Sequence, residues 1–238
     1  MPTDVVPTHA DLGHYRLIVA PCFLLADETL AARLTEYVKS GGTLLLGARS
    51  GFKPRTNLMT DQPLPGPFRD LVGATVEAWH SLPPGVTYPA TDHKHQTLAV
   101  ATWAEGLSTL SAQPLMFYAG GPLEGWAAVT VNVVGQGRAV YAGVWPSEAV
   151  LNSLIGWLLP QAGVQPLALL PEGVLISRRE GFIFLLNFTD VPITARLYLT
   201  GVTDVFTGQA VEREVTILPR DVRVMRQTTN ASVKGAEQ

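Results

Sequence analysis

The stretch that decides the fold spans residues 15–46 and reads YRLIVAPCFLLADETLAARLTEYVKSGGTLLL. Its first part, residues 15–21, predicts a buried strand, because apolar residues run together and a proline then stops β pairing. Residues 43–46 are again apolar and predict a second buried strand. A helix between two such strands is a βαβ unit, so we expect the strands to be parallel neighbours joined by a right-handed crossover.

The helix of this unit has recognisable start and stop signals. Asp27 is a favourable N-cap, and apolar residues recur at helical spacing after it, as Leu30 and Leu34 illustrate. Gly41 and Gly42 can adopt the left-handed backbone that ends a helix. The sequence therefore predicts a helix from about residue 28 to residue 40.

Composition narrows the class of protein. The chain has 238 residues, of which 47% are hydrophobic and 16% charged, enough to bury a sizeable core. A net charge of −3 with scattered basic residues argues against a nucleic-acid partner, and no apolar run has membrane length. The start lacks a secretion signal, and the single cysteine, Cys22, excludes an internal disulfide framework. We expect a cytoplasmic protein without nucleic-acid or membrane partners.

Downstream of the βαβ unit the pattern changes. Residues 47–67 are rich in glycine, proline and polar residues and predict a long loop, which is typically functional or interfacial. Strands are expected at residues 75–79, 97–103 and 127–134, the last forming a hairpin with residues 139–144. A second helix should begin after the N-cap Ser147 and end near Gln161. Its expected apolar face consists of Val150, Leu151, Leu154, Ile155 and Leu158.

The last part of the chain has a different organisation. Prolines and a glycine between residues 160 and 171 suggest a linker, after which short strands follow at hairpin spacing. The sequence therefore predicts an α/β domain at residues 1–163 and a small antiparallel all-β domain at residues 164–227. The polar residues 228–238 are expected to be a disordered tail.

Several segments, in order, resemble a known family. Residues 10–21, 36–46 and 135–141 resemble the middle domain of the bacterial glycoside hydrolase family 42 β-galactosidases, and residues 177–181 and 184–190 resemble the C-terminal domain that follows it. The resemblance implies a flavodoxin-like or class I glutamine amidotransferase-like, mostly parallel sheet followed by a small antiparallel domain. It also implies a module that trimerises. From the residues themselves we expect no cofactor and no metal.

In that family the catalytic glutamates lie on an N-terminal (β/α)8 barrel, and nothing in this sequence matches the barrel. A strand and helix that the family places before residues 4–6 are also missing. Retaining glycosidases need two carboxylates about 5 Å apart, and Glu124 and Glu148 lie in turn or helix-start settings instead. We therefore expect a non-catalytic assembly region, inactive by itself, whose partners are copies of itself, a trimer first, or a catalytic barrel.

Two alternatives come from other classes: a stand-alone amidotransferase-like enzyme and a small-molecule or carbohydrate-binding module. Amidotransferases carry a nucleophilic cysteine in the turn after the second strand, where this chain has Ser50 in a spacing unlike a nucleophile elbow. We expect Ser50 to be a turn residue and Cys22 a buried structural thiol. A sugar-binding platform would need exposed aromatic pairs among Phe52, Trp79, Trp103, Phe117, Tyr118 and Trp126, for which core or interface packing is the expectation.

Two further motifs carry weak signals. Residues 92–95 read DHKH and offer three potential metal ligands, but the other histidines are dispersed, so a solvated loop is favoured over a metal site. The glycines at 135 and 137 lack the third glycine of a dinucleotide-binding motif and lie between two strands, which indicates a hairpin turn.

The long loop is the predicted contact surface for assembly. Loops that follow strand ends of α/β sheets commonly present functional surfaces. We expect the residues of this loop to pack against another subunit, with Phe52 and Leu58 supplying apolar area and Arg49, Lys53 and Arg55 a polar rim.

Overall fold

The computed structural model describes residues 3–58 and 60–227. These residues form two compact units, one of residues 7–164 and one of residues 165–227 together with residues 3–6. The polar tail expected at residues 228–238 lies outside the described residues. No helix in the described ranges is long and apolar enough to span a membrane.

The first unit contains nine strands, three α-helices and a single 3-10 turn at Gly66–Phe68. The helices are α1 (Glu28–Lys39), α2 (Arg69–Val72) and α3 (Glu148–Gln161). The strands are β1 (Leu17–Ala20), β2 (Thr43–Gly47), β3 (Ala74–Ser81), β4 (Thr87–Thr91), β5 (Thr97–Ala101), β6 (Trp103–Thr109), β7 (Gln113–Tyr118), β8 (Ala127–Val134) and β9 (Gly137–Ala142).

All nine strands belong to one mixed sheet, with main order β1-β2-β9-β8-β7-β4-β5 and a branch in which β6 pairs with both β3 and β8. The βαβ prediction is confirmed, because β1 and β2 are parallel neighbours. The expectation of a mostly parallel sheet is wrong, since only β1–β2 and β2–β9 are parallel and the other pairs are antiparallel. Short connections such as the Gly135–Gln136 turn explain this, because they cannot carry a parallel crossover.

The two long helices cover opposite faces of the sheet. Asp27 caps α1 by accepting a hydrogen bond from the Leu30 amide, as the sequence predicts. Alternation along β2 sends Leu44 and Leu46 to the α1 side and Leu45 to the α3 side, so the strand is buried on both faces.

Helix α3 also begins as predicted, with Ser147 as N-cap. Its buried face is narrower than expected, because it consists of Val150, Leu154 and Leu158 while Leu151 is exposed. Residues 150, 154 and 158 follow one row at i, i+4 spacing, and Leu151 lies beside that row.

The second unit contains seven short strands in two sheets, and no helix is found among its described residues. One sheet has the order β10-β13-β15 and the other β11-β12-β16-β14, all paired antiparallel. The strands are β10 (Ala168–Leu169), β11 (Val174–Arg179), β12 (Phe182–Asn187), β13 (Ile193–Leu197), β14 (Val202–Asp204), β15 (Glu214–Ile217) and β16 (Val222–Gln227). The expected antiparallel β domain is therefore present, with a core of its own around Ile183, Leu185 and Ile217.

Candidate functional site

The carboxyl ends of the parallel strands bring polar and aromatic side chains together. Arg49 follows β2, Tyr141 lies near the end of β9, and β6 adds Trp103 and Glu105 from the neighbouring antiparallel branch. We call this group the carboxyl-edge cluster; it consists of Arg49, Phe52, Trp79, Trp103, Glu105 and Tyr141.

The cluster is built on a fully buried carboxylate. Glu105 Oε1 accepts hydrogen bonds from the Arg49 backbone amide at 2.8 Å and from the Trp103 indole Nε1 at 2.7 Å. Its Oε2 accepts a hydrogen bond from the Tyr141 hydroxyl at 2.9 Å. Gly143 lies opposite Glu105, where an added Cβ would come within 2.9 Å of the Glu105 Cβ. The carboxylate is thus enclosed and tied to three elements, so no face is open to a substrate.

Arg49 has an unusual conformation for its residue type. Its φ angle is 65°, in the left-handed region that non-glycine residues seldom occupy. The guanidinium lies over the Trp103 ring, with Cζ 4.8 Å from the ring centroid. Its Nε atom is buried and has no hydrogen-bond partner among the described residues. The Glu105–Arg49 hydrogen bond therefore holds a turn that the backbone alone would disfavour.

Aromatic side chains form the outer layer of the cluster. The ring of Phe52 meets Trp79 edge-on at 5.7 Å and Trp103 at 6.4 Å between centroids. Trp79 is 47% exposed. Trp145 donates a backbone hydrogen bond to the Trp103 carbonyl and is 50% exposed. Half-exposed tryptophans beside an arginine have the composition of protein interfaces.

Burial dominates the electrostatics of the cluster. It raises the pKa of Glu105, and the hydrogen bonds from Trp103, Arg49 and Tyr141 only partly offset this effect. Burial and the neighbouring Glu105 carboxyl group raise the pKa of Tyr141 well above its ordinary value. Tyr141 is therefore a neutral hydrogen-bond donor at physiological pH.

The five loop residues predicted as a contact surface lie in different settings. Leu58 is 66% exposed, and Phe52 is partly covered by the tryptophans. Lys53 Nζ donates to Asn57 Oδ1 at 2.9 Å, and Arg55 forms an ion pair with Asp27, the N-cap of α1. Arg49 is more buried than a residue of the expected polar rim would be, since its Nε atom is not accessible to solvent.

The two candidate nucleophiles have structural settings. Ser50 is buried, its hydroxyl donating to the Gly47 carbonyl at 2.7 Å and accepting from the Phe23 amide at 3.0 Å. Cys22 is exposed, so the expectation of a buried thiol is wrong. The reason is position, because β1 ends at Ala20 and Cys22 lies beyond the covered part of the sheet.

Nor does the DHKH motif form a metal site. Asp92 Oδ1 accepts hydrogen bonds from the Lys94 and Gln96 amides, and Oδ2 accepts one from the Ser153 hydroxyl. The carboxylate thus closes the β4–β5 turn and joins it to α3. Across residues 3–58 and 60–227, no group of three or more histidine, cysteine or acidic side chains could hold a metal ion.

Glu105 is the site residue that sequence reasoning missed. Strand alternation places it on the same face as Trp103 and Leu107, in a strand whose middle is entirely buried. An acidic residue in line with large apolar side chains is the signal that could have found it.

Comparison with known proteins identifies both units. Residues 1–165 match the family model described as the β-galactosidase trimerisation domain, and residues 173–227 match the β-galactosidase C-terminal domain. The β-galactosidase Bga of Halorubrum lacusprofundi is 41% identical over 78% of this chain, and BgaH of Haloferax lucentense is 37% identical over 80%. The matches span 28% and 29% of the length of these curated relatives.

A solved structure agrees with this match. The polyextremophilic β-galactosidase from the Antarctic haloarchaeon Halorubrum lacusprofundi superposes with a TM-score of 0.81 at 36% identity, covering 94% of this chain and 33% of that chain. The chain therefore belongs to the glycoside hydrolase family 42 β-galactosidases and contains the trimerisation domain and the C-terminal domain of that family.

Proposed function

We propose that this chain is a non-catalytic assembly region of a β-galactosidase and that it associates with copies of itself, with the trimer as the favoured oligomeric state. The observation that carries the proposal is the match of residues 1–165 to a trimerisation domain. Exposed Trp79 of the carboxyl-edge cluster supports it, as does exposed Trp145, whose backbone is hydrogen-bonded to Trp103, because such residues are enriched where protein surfaces meet.

The proposed contact surface comprises the loop that follows β2 and the outer residues of the carboxyl-edge cluster, which lie above the fully buried Glu105 and Tyr141. Within it, Phe52 and Leu58 contribute apolar area, while Lys53 and Arg55 lie at the polar margin with Arg49 further inside. Interfaces of this kind need a well-packed apolar centre and a hydrated charged rim. The half-buried Phe52 and the tryptophans around it fit the centre.

Several finer assignments belong to the same proposal. The β1-α1-β2-β9 layer, with α3 on its other face, supports a flavodoxin-like or amidotransferase-like origin for the first domain. We place the boundary between the two domains at residues 163/164. In the intact enzyme we expect a catalytic barrel as partner, hydrolysis of terminal β-galactosides by that barrel, and a cytoplasmic location in keeping with a single cysteine.

Light scattering of the full chain at micromolar concentration tests the assembly. We expect an oligomer for the wild type and a loss of mass for the Phe52→Asp, Leu58→Asp double variant. Leu58→Asp alone removes the exposed side chain without disturbing the aromatic packing. The matched control is Leu110→Asp, Val133→Asp, two exposed apolar positions of the same domain outside the proposed surface. A monomeric wild type, or a control that dissociates as much as the double variant, contradicts the proposal.

The same preparation should not hydrolyse a chromogenic β-galactoside. Glu105 is enclosed, with both oxygens used by internal donors, so it cannot act as one of a pair of catalytic carboxylates. Turnover that persists through repurification and scales with protein concentration would contradict a non-catalytic role.

A further inference from the structure

The cluster contains a buried acidic side chain whose role goes beyond core packing. An apolar residue would fill the space below the aromatic layer without the cost of burying a carboxyl group. Glu105 instead bridges β6 to β9 through Tyr141 and to the turn after β2 through the Arg49 amide. Two of its three hydrogen bonds come from the residues that make the guanidinium–indole stack, Arg49 and Trp103.

The guanidinium–indole stack of Arg49 and Trp103 has the features of a preorganised binding surface. Arg49 is held in the left-handed region, and its guanidinium Nε is buried without a partner. Backbone strain of this kind persists only where the surroundings enforce it, and it concentrates at functional sites. The ring of Trp103 is in turn fixed by its indole hydrogen bond and by Phe52.

We propose that Glu105 is a positioning residue that fixes Arg49 and Trp103 as the centre of the contact surface for a second copy of this chain. This inference rests on the proposed self-association and names the residue that shapes the surface. A second copy is the occupant because the domain matches a trimerisation domain and because half-exposed Trp79 contacts Phe52 while half-exposed Trp145 is hydrogen-bonded to the Trp103 backbone. Arginine and tryptophan carry most of the binding energy in many interfaces.

Tryptic cleavage of the full chain, at a dilution at which sedimentation shows only monomer, reports the accessibility of the bond after Arg49 without a contribution from assembly. Arg55 is largely exposed and provides an internal reference in the same loop. We expect Glu105→Ala to raise cleavage after Arg49, relative to cleavage after Arg55, by about tenfold, because the amide anchor of the turn is lost. Glu105→Gln should stay near wild type, since its amide oxygen can still accept from Arg49 and Trp103.

Self-association of the same variants, measured by sedimentation over a concentration series, completes the test. We expect Glu105→Ala to weaken association by about tenfold and Glu105→Gln to restore it. Asp92→Ala is the matched control, because it removes a buried carboxylate with three hydrogen bonds outside the cluster. Near-UV circular dichroism identifies variants that remain folded at the assay temperature.

Each outcome bears on the inference. If the turn loosens in Glu105→Ala while association is unchanged, the inference is wrong and the proposed assembly stands. If Asp92→Ala weakens association as much, the effect is general destabilisation and the inference is also wrong. A monomeric wild type overturns the assembly proposal and the contact role together, and the cleavage ratio then decides whether Glu105 fixes the turn.

Discussion

Two buried carboxyl groups of the first domain, Glu105 below the aromatic layer and Asp92 in the β4–β5 turn, accept three hydrogen bonds each. Burial is the largest single influence on both carboxyl groups, and by itself it would raise the pKa of each. For Glu105 burial prevails, and the pKa is raised. For Asp92 the donors Ser153, Gln96 and Lys94, together with His93, outweigh burial, and the pKa is lowered. The comparison shows that the completeness of desolvation, rather than the number of hydrogen bonds, decides which form of a carboxyl group the fold prefers.

Substitution by alanine should give the largest difference between the two sites in the free energy of unfolding. Glu105→Ala leaves an amide, an indole and a phenol without their acceptor inside the core, and should lower the free energy of unfolding by about 3–5 kcal/mol. Asp92→Ala should cost about 1–3 kcal/mol, because the amides of an exposed turn can bind water instead. Urea unfolding followed by tryptophan fluorescence measures both in the first domain, since all 5 tryptophans lie within residues 79–157. Equal losses would remove the distinction between the sites.

Replacement by the neutral amides should give effects of opposite sign at neutral pH. Glu105→Gln keeps the shape and cannot adopt the charged form that burial disfavours, so we expect a gain of about 1 kcal/mol in the free energy of unfolding. Asp92→Asn removes a charge that its donors favour, and should cost about 1 kcal/mol. The same urea titrations at about pH 7 provide the measurement. A loss in both variants would mean that Glu105 is held as a favoured charge.

The pH dependence sharpens this contrast. The contribution of the Glu105 side chain to the free energy of unfolding is fully present below its unfolded-state pKa of 4.5. This contribution is lost as the pH rises through the raised folded-state pKa. Stability from Asp92 is present above its unfolded-state pKa of 3.8 and is lost as pH falls through the lowered folded-state pKa. As the pH is raised from about 4 to about 7, the free energy of unfolding of the wild type should fall relative to that of Glu105→Gln and rise relative to that of Asp92→Asn. Parallel curves would contradict the assigned directions.

The smallest expected effect belongs to a single donor of Asp92. Ser153→Ala removes the hydroxyl that bonds Oδ2 and should lower the free energy of unfolding by about 1 kcal/mol at neutral pH. The loss should shrink in acid, where Asp92 is protonated. Asn152→Ala, at an exposed position of the same helix, is the control and should change stability by less than about 0.5 kcal/mol. Equal effects of the two substitutions would indicate helix propensity rather than the hydrogen bond.

Local signals predicted much of the fold. The helices α1 and α3 begin at the expected caps, and β1 and β2 pair in parallel, because capping residues and apolar runs act over a few neighbouring residues. The strands β4 and β7 were missed, as was β6 beyond its first residue. β4 and β7 each contain a proline, Pro89 and Pro114, which weakens the local strand signal although the sheet accommodates it.

The candidate site was predicted only in part. The loop residues Arg49 and Phe52 were expected at a functional surface, because loops after strand ends commonly carry one. Their actual contacts come from Trp79, Trp103 and Glu105, more than 25 residues away in sequence. Nothing in the local pattern around Arg49 indicates which strand will lie beside it.

The sequence by itself determined the βαβ unit, the two helices, the division into an α/β part and a β part, and the resemblance to a β-galactosidase assembly region. These features follow from periodicity, capping and ordered motifs, which are written into short segments. The tertiary structure alone decided that the sheet is mixed, that Cys22 is exposed, and that Glu105 ties Arg49, Trp103 and Tyr141 together. Strand pairing and burial depend on contacts between distant segments, and the preferred charge of a buried carboxyl group depends on how completely those contacts remove it from water.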